Sequence, residues 1–302
     1  MEQVSDHSSA RMGLATVGVV FASACFGFVP VFARTLTDAG MAPHAVAFYR
    51  YVLAVSVMLP LVWRWRAQWR VLIWGAGAGA MMGVGWVSFV RAVEVVPVST
   101  AGVIYMTYPV FTLLFSWLLF REVPKPRSIL AALVIVAAAA LVTTPSAVDP
   151  EHIPALLMSL GAPAGFGIGI AVLVHRMVRV PPFVRIGTVS SGSVLGLLPL
   201  ILTTETAALF PADGAGWLMV LGIGFVSALI PQLIYTISSP IVGTARTAMA
   251  GSIELPVMFA IGWFFYGEAL QPVHALALAL VVGAILITPT RRARSVAATL
   301  RK

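Results

Sequence analysis

The chain has 302 residues, 60% of them hydrophobic and 10% charged. Soluble domains carry roughly 25% charged residues, so this composition excludes a soluble globular protein. About 20 apolar residues cross a bilayer at 1.5 Å rise each, and ten such crossings would use about 200 residues and leave only short loops. Lys125 and Lys302 are the lysines, and neither follows a glycine-rich loop, which excludes a phosphate-cradling GxxxxGK motif. The net charge of +8 does not gather on one face of a folded domain, as nucleic-acid binding requires; the positive residues punctuate apolar runs. Cys25 is the single cysteine and lies in such a run, excluding an intramolecular disulfide or a thiolate metal cluster.

In chain order, the apolar runs predict membrane helices over 13–33, 44–63, 71–90, 97–120, 127–144, 153–174, 183–202, 216–237, 243–266 and 272–290. The leader from Met1 to Arg11 carries Glu2 and Asp6 rather than a basic region, so the first run reads as a retained helix and not a signal peptide. With both termini in the cytoplasm, every Lys and Arg except Arg34, Arg50 and Arg91 falls on the cytoplasmic side, as the positive-inside rule requires. Asp38, Glu94, Asp149, Glu151, Glu205, Asp213 and Glu268 fall outside. Trp63, Trp65, Trp69 and Trp74 bracket one membrane boundary and read as interfacial anchors.

Shifting the chain by 146 residues lays WLLFREVPKP on WFFYGEALQP, matching Trp117 to Trp263, Glu122 to Glu268 and Pro126 to Pro272. The same shift places Phe89 on Tyr235 and Tyr108 on Glu254. At a slightly different offset, Phe26 and Gly27 of ACFG meet Phe166 and Gly167 of AGFG. Five spans followed by five related spans put the second half upside down, and inverted repeats of this kind build transporters with a substrate site near the midplane. The expected fold class is therefore an all-α polytopic membrane protein of ten transmembrane helices in two inverted five-helix repeats. Its expected divisions are a leader (1–12), a first repeat (13–146), a second repeat (147–290) and a basic tail (291–302).

The segments AFYRYVLA (47–54), YPVFTLLFSWLLFRE (108–122) and ELPVMFAIGWFFYGE (254–268) resemble the EamA-type branch of the drug/metabolite transporter superfamily, and the resemblance runs through both repeats. It implies ten helices with cytoplasmic termini in a bacterial-type plasma (inner) membrane, a central cavity lined by both halves, and efflux of small metabolites. Two features depart from the family pattern. Leu255 separates Glu254 from Pro256, which moves the expected kink by one residue, and the second half has no arginine matching Arg50.

Glu254 is the sharpest chemical signal. It sits roughly 17 Å from the cytoplasmic end of its span, counted at 1.5 Å per residue. A central ionised residue costs about 2.5 to 3.5 kcal/mol on insertion scales, so such a residue is protonated, paired or wet. It either faces the cavity and binds a proton or a cationic group, or is a structural carboxyl bonded to backbone freed by Pro256. Helical spacing puts Thr247, Gly251 and Met258 on its face, and the repeat shift carries that stripe onto Ala101, Tyr105, Tyr108 and Thr112. Tyr105 and Tyr108 offer ring faces and hydroxyls to a substrate, or pack between helices. Trp86 corresponds to Gln232 and Phe89 to Tyr235; a mid-membrane glutamine needs partners or water, so Gln232 is expected to face the cavity. Arg50 lies roughly 9 Å below the outer end of its span. It either snorkels outward or pairs with Glu94, or it flanks a zwitterion opposite Glu254.

Gly75, Gly79 and Gly83 in the third span, and Gly161, Gly165 and Gly169 in the sixth, recur every four residues, the pattern of closely packed membrane helices. Pro30, Pro109, Pro231 and Pro256 interrupt other spans and are candidate hinges. His7, His44, His152, His175 and His274 fall at or beyond span ends.

These readings point to a secondary active transporter that exports a small organic metabolite, such as an amino acid or a related amine or drug, by alternating access. Its partners are the small-molecule substrate, membrane lipid and, where coupling is to the proton gradient, protons. No cofactor, metal or nucleic acid is expected, and both a monomer and a homodimer remain open. The competing classes are a passive channel and a membrane-embedded enzyme. Against the enzyme, no two in-span carboxylates pair, and the VSSGS cluster (189–193) has no in-span histidine beside it.

Overall fold

A computed structural model describes residues 2–143, 150–242, 250–251 and 253–287. Thr247, Asp149, Arg246 and the basic tail from Arg291 lie outside the described residues. The rest is mostly helical, and no strand occurs among the described residues. Seven helical stretches are long and apolar enough to cross a membrane: Arg11–Asp38, Pro43–Arg64, Arg66–Val95, Val98–Phe120, Ile153–His175, Pro182–Leu202 and Gly214–Ser238. Three shorter apolar helices, Pro126–Val142, Glu254–Tyr266 and Pro272–Ala284, stand where the fifth, ninth and tenth runs were expected. The first and third stretches exceed their predicted limits because the helices continue past the apolar run into polar surroundings.

The elements are α1 (Glu2–Gly27), α2 (Val29–Asp38), α3 (Pro43–Arg64), α4 (Trp69–Val95), α5 (Val98–Tyr105), α6 (Tyr108–Phe120) and α7 (Pro126–Val142). They continue as α8 (Ile153–Ser159), α9 (Gly161–His175), α10 (Pro182–Leu202), α11 (Thr206–Leu209), α12 (Gly214–Leu221), a π-helical segment (Gly222–Leu229) and α13 (Ile230–Val242). The last two are α14 (Glu254–Tyr266) and α15 (Pro272–Ile287).

Prolines account for most of the breaks. Pro30 removes the N–H that would bond Phe26, and α1 gives way to α2 at Phe28. Pro109 does the same to Tyr105, and α5 passes to α6 through a tight turn in which Thr107 N–H donates to Ile104 O at 3.0 Å. The π-helical segment ends just before Pro231, and a further break at Leu160 precedes Pro163. The ninth span carries a helix boundary at its acid, beside the kink expected at Pro256. A new helix begins at Glu254, with Ile253 as its cap and Pro256 in its first turn, where a missing N–H has no partner to lose.

The glycine stripes pack the two halves together. A Cβ on Gly83 would lie 2.8 Å from Ser193 O on α10, and one on Gly165 2.7 Å from Met81 O on α4. Gly79 packs in the same way against the Val189 backbone, and Ser193 Oγ donates across that seam to Gly79 O at 2.7 Å. α4 is therefore clamped between α9 and α10 within one chain, and α3 lies against both α4 and α10.

The repeated WLLFRE and WFFYGE segments fold alike. Each ends its helix on a left-handed residue, Arg121 (φ 54°) or Gly267 (φ 62°). The following glutamate N–H then donates back to Ser116 O at 3.2 Å or to Gly262 O at 2.9 Å, a Schellman-type end. The side chains also tie elements together: Glu122 meets His175 Nε2 at 2.8 Å, and Glu268 accepts from Ser99 N–H at 3.1 Å and Ser99 Oγ at 2.8 Å. At the tryptophan-rich boundary, guanidinium groups cover the rings: Arg66 over Trp63 at 4.9 Å and Arg176 over Trp74 at 4.9 Å.

The packing predicts opposite outcomes for neighbouring glycines. Gly79→Ala should cost about 1–3 kcal/mol, because backbone on α10 leaves no room. Gly77→Ala, with nothing within 4 Å of its Cβ, should be neutral or stabilising by about 0.5–1 kcal/mol. Thermal unfolding in detergent compares the two.

Candidate functional site

Arg50 is on the buried face of α3, in line with Ala47, Ala54 and Met58, spaced as one helical stripe. Its side chain neither snorkels outward nor pairs with Glu94. It is 8% exposed, and its guanidinium lies 3.9 Å from the centre of the Trp86 ring, a cation–π contact. α4 and α10 both pack against the helix that carries Arg50. Glu94 is exposed at the far end of α4.

Trp86 opens a chain of aromatic contacts. It meets Phe89 edge-on at 5.0 Å and Tyr105 at 5.7 Å. Tyr105 continues to Tyr108 at 5.9 Å, and both reach Phe166 on α9, at 6.0 and 5.1 Å. Five helices, α3, α4, α5, α6 and α9, thus converge on one aromatic cluster, the last of them from the second half of the chain. Phe166 and Tyr51 are members that the sequence reading did not nominate. The signal for Phe166 was present in the ACFG/AGFG match, since Phe26 occupies the corresponding place and contacts Tyr235 at 6.1 Å.

Glu254 completes the cluster from the other side. It is half-buried and lies within electrostatic reach of Arg50, Tyr105, Tyr108 and Tyr235. Among the described residues its carboxylate makes no ion pair and no hydrogen bond. The structural alternative, a carboxyl bonded to backbone freed by Pro256, is therefore not what the geometry shows. Gly27 lets α1 approach here: a Cβ on it would lie 3.1 Å from Glu254 O. One turn before Glu254, Gly251 faces the hydroxyls of Ser23 and Tyr235. Gln232 is half-buried one turn before Tyr235 on α13. Met258, one turn after Glu254, is fully buried against Gly102 of α5.

Among the described residues, two buried polar atoms of the cluster, Arg50 Nη1 and Trp86 Nε1, have no hydrogen-bond partner. By contrast, the VSSGS serines are engaged, with Ser193 bonded to Gly79 O and Val189 O. A separate apolar groove of about 410 Å³ opens between α5, α6, α7 and α8. Its two hydroxyls, Thr107 and Thr143, donate to Ile104 O and Ala140 O, so it has no free side-chain hydroxyl to orient a polar solute.

Trp86 supports both the aromatic cluster and the guanidinium, so Trp86→Ala should cost about 3–5 kcal/mol. Trp117→Ala, at a residue 52% exposed, should cost under about 1 kcal/mol. Detergent-solubilised melting curves of the two variants test this ranking.

Residues 13–144 match the model of the EamA-like transporter family. An uncharacterized transporter of Synechocystis sp., sll1319, is 25% identical over 225 residues, which cover 72% of this chain and 67% of that protein. A crystal structure aligns with a TM-score of 0.58 at 19% identity, covering 96% of this chain and 99% of its own, a likeness of fold. Seven long apolar helices make the protein a multi-pass membrane protein, and the family match and the transporter relative support a transporter role. Residues 13–144 are thus similar to the EamA-like transporter family, and with the transporter relative and the long apolar helices they support a transporter role.

Proposed function

We propose that the protein is a secondary active transporter that exports a small organic metabolite, of amino-acid or related amine or drug size, by alternating access about the Arg50–Glu254 cluster. The observation that carries this reading is the meeting of two unpaired charged residues, one from each half of the chain, inside an apolar bundle. Charges in such a place are costly and mark a pathway or a binding site. Gln232, Tyr235, Tyr105, Tyr108 and Trp86 surround them as candidate substrate contacts, with Glu254 as the candidate proton carrier.

The reading rests on ten spans in two inverted units, 13–146 and 147–290, with a leader (1–12), a tail (291–302) and both termini on the cytoplasmic side of the plasma (inner) membrane. Helix contacts support the inversion. Exchanging each helix for its counterpart in the other half turns α4 against α10 into the π-helical segment against α3, and α4 against α9 into α13 against α1. Likewise α6 against α9 becomes α14 against α1, while α3–α10 and α7–α15 map onto themselves. The matching left-handed ends at Arg121 and Gly267 and the proline breaks near Pro30, Pro109, Pro231 and Pro256 supply seams at which the halves rock.

Purified protein in liposomes tests the class directly. A carrier gives saturable counterflow of labelled substrate across an amino-acid, amine and drug panel; non-saturable flux indicates a channel, and neither indicates an enzyme. Glu254→Gln should flatten the pH dependence of the flux. Transport that survives this change with its pH profile intact removes Glu254 from proton coupling.

A further inference from the structure

Building on the transporter reading, we propose that the substrate group lodged beside Arg50 is a carboxylate and not an ammonium. A cluster of Trp86, Phe89, Tyr105, Tyr108 and Phe166 would by itself suit a cationic ligand. Here the protein's own cation occupies the face of Trp86, with the guanidinium carbon 3.9 Å from the ring centre. A second cation at that place would meet a buried positive charge at short range, where the low dielectric strengthens repulsion.

The free polar atoms also select an acceptor. Arg50 Nη1 and Trp86 Nε1 are both buried and unpartnered, and neither can do anything but donate. Buried donors without acceptors are costly, and a ligand supplying planar oxygens satisfies both at once. The guanidinium fork matches a carboxylate in two parallel bonds. Glu254 does not fill that role within the chain: it lies beyond ion-pair distance of Arg50 yet within electrostatic reach. Its proximity also limits the charge the site accepts. One guanidinium beside one carboxyl group suits a monoanion better than a phosphate dianion.

The test is a matched ligand series on the full chain in lipid nanodiscs, followed by calorimetry and intrinsic tryptophan fluorescence. The probes are acetate, octanoate and 3-phenylpropionate, each beside its primary amide and primary amine, with inorganic phosphate as a further arm. At least one acid should bind about tenfold or more tightly than its amide, the difference expected for a charge-assisted hydrogen bond, and its amine and phosphate should bind more weakly still. Arg50→Gln should abolish the preference for acid over amide, Arg50→Lys should restore part of it, and Trp86→Phe should weaken acid binding while keeping the ring. An amine or phosphate bound as tightly as the acid overturns the proposal, as does the absence of acid binding to the unaltered protein. The series on unaltered protein decides even where Arg50→Gln fails to fold. Amine counterflow unaffected at Arg50 would overturn this proposal and leave the transporter reading standing. Acid-selective binding without any counterflow would do the reverse.

Discussion

A guanidinium held against an indole in the middle of an apolar bundle is the constraint around which the rest is arranged. An isolated buried charge is strongly unfavourable, and Arg50 keeps its place through the Trp86 face at 3.9 Å and the carboxyl group of Glu254 within electrostatic reach. Neither partner is local in sequence. Trp86 comes from the next long helix, and Glu254 from the opposite half of the chain, so the charge can be accommodated only when the two halves are assembled.

Assembly in turn depends on small residues. α4 carries Trp86 and Phe89 on the same helix as Gly79 and Gly83, and those glycines bring its backbone against α10. Gly165 does the same for α9, which is what brings Phe166 to Tyr105 and Tyr108. Close packing inside lipid gains from dispersion and interhelical hydrogen bonds rather than from water release, and Ser193 donating to Gly79 O is one such bond. The aromatic cluster is therefore positioned by glycines at some distance from it.

Much of this was legible from the residues alone, for physical reasons that differ case by case. Apolar run lengths located the helices because the bilayer sets their minimum length. The WLLFRE and WFFYGE match proved to be a shared helix ending, since a left-handed cap is a local feature of the chain. Arg50 was not decided by sequence, because snorkelling depends on whether the side chain can reach solvent, and only its burial against Trp86 in the assembled fold answers that. Phe166 was visible only as half of a short repeat, with nothing local to show that α9 would deliver it to two tyrosines. The pairing of Glu122 with His175 at 2.8 Å joins residues far apart in the chain, which periodicity cannot see. At Glu254 the sequence marked a kink at Pro256, but not that a new helix begins at the acid itself or that it lies within electrostatic reach of Arg50.

The central claim is that the carboxylate of α14 faces a water-accessible interior shared by both halves. Single-cysteine labelling in liposomes, with Cys25 replaced by alanine, measures this most directly. Glu254→Cys should react with a membrane-impermeant thiol reagent from at least one aqueous face, while Phe264→Cys, at a residue 76% exposed on the outside of the bundle, should not. Protection of position 254 from both faces, together with reaction toward a lipid-soluble maleimide, would contradict the account.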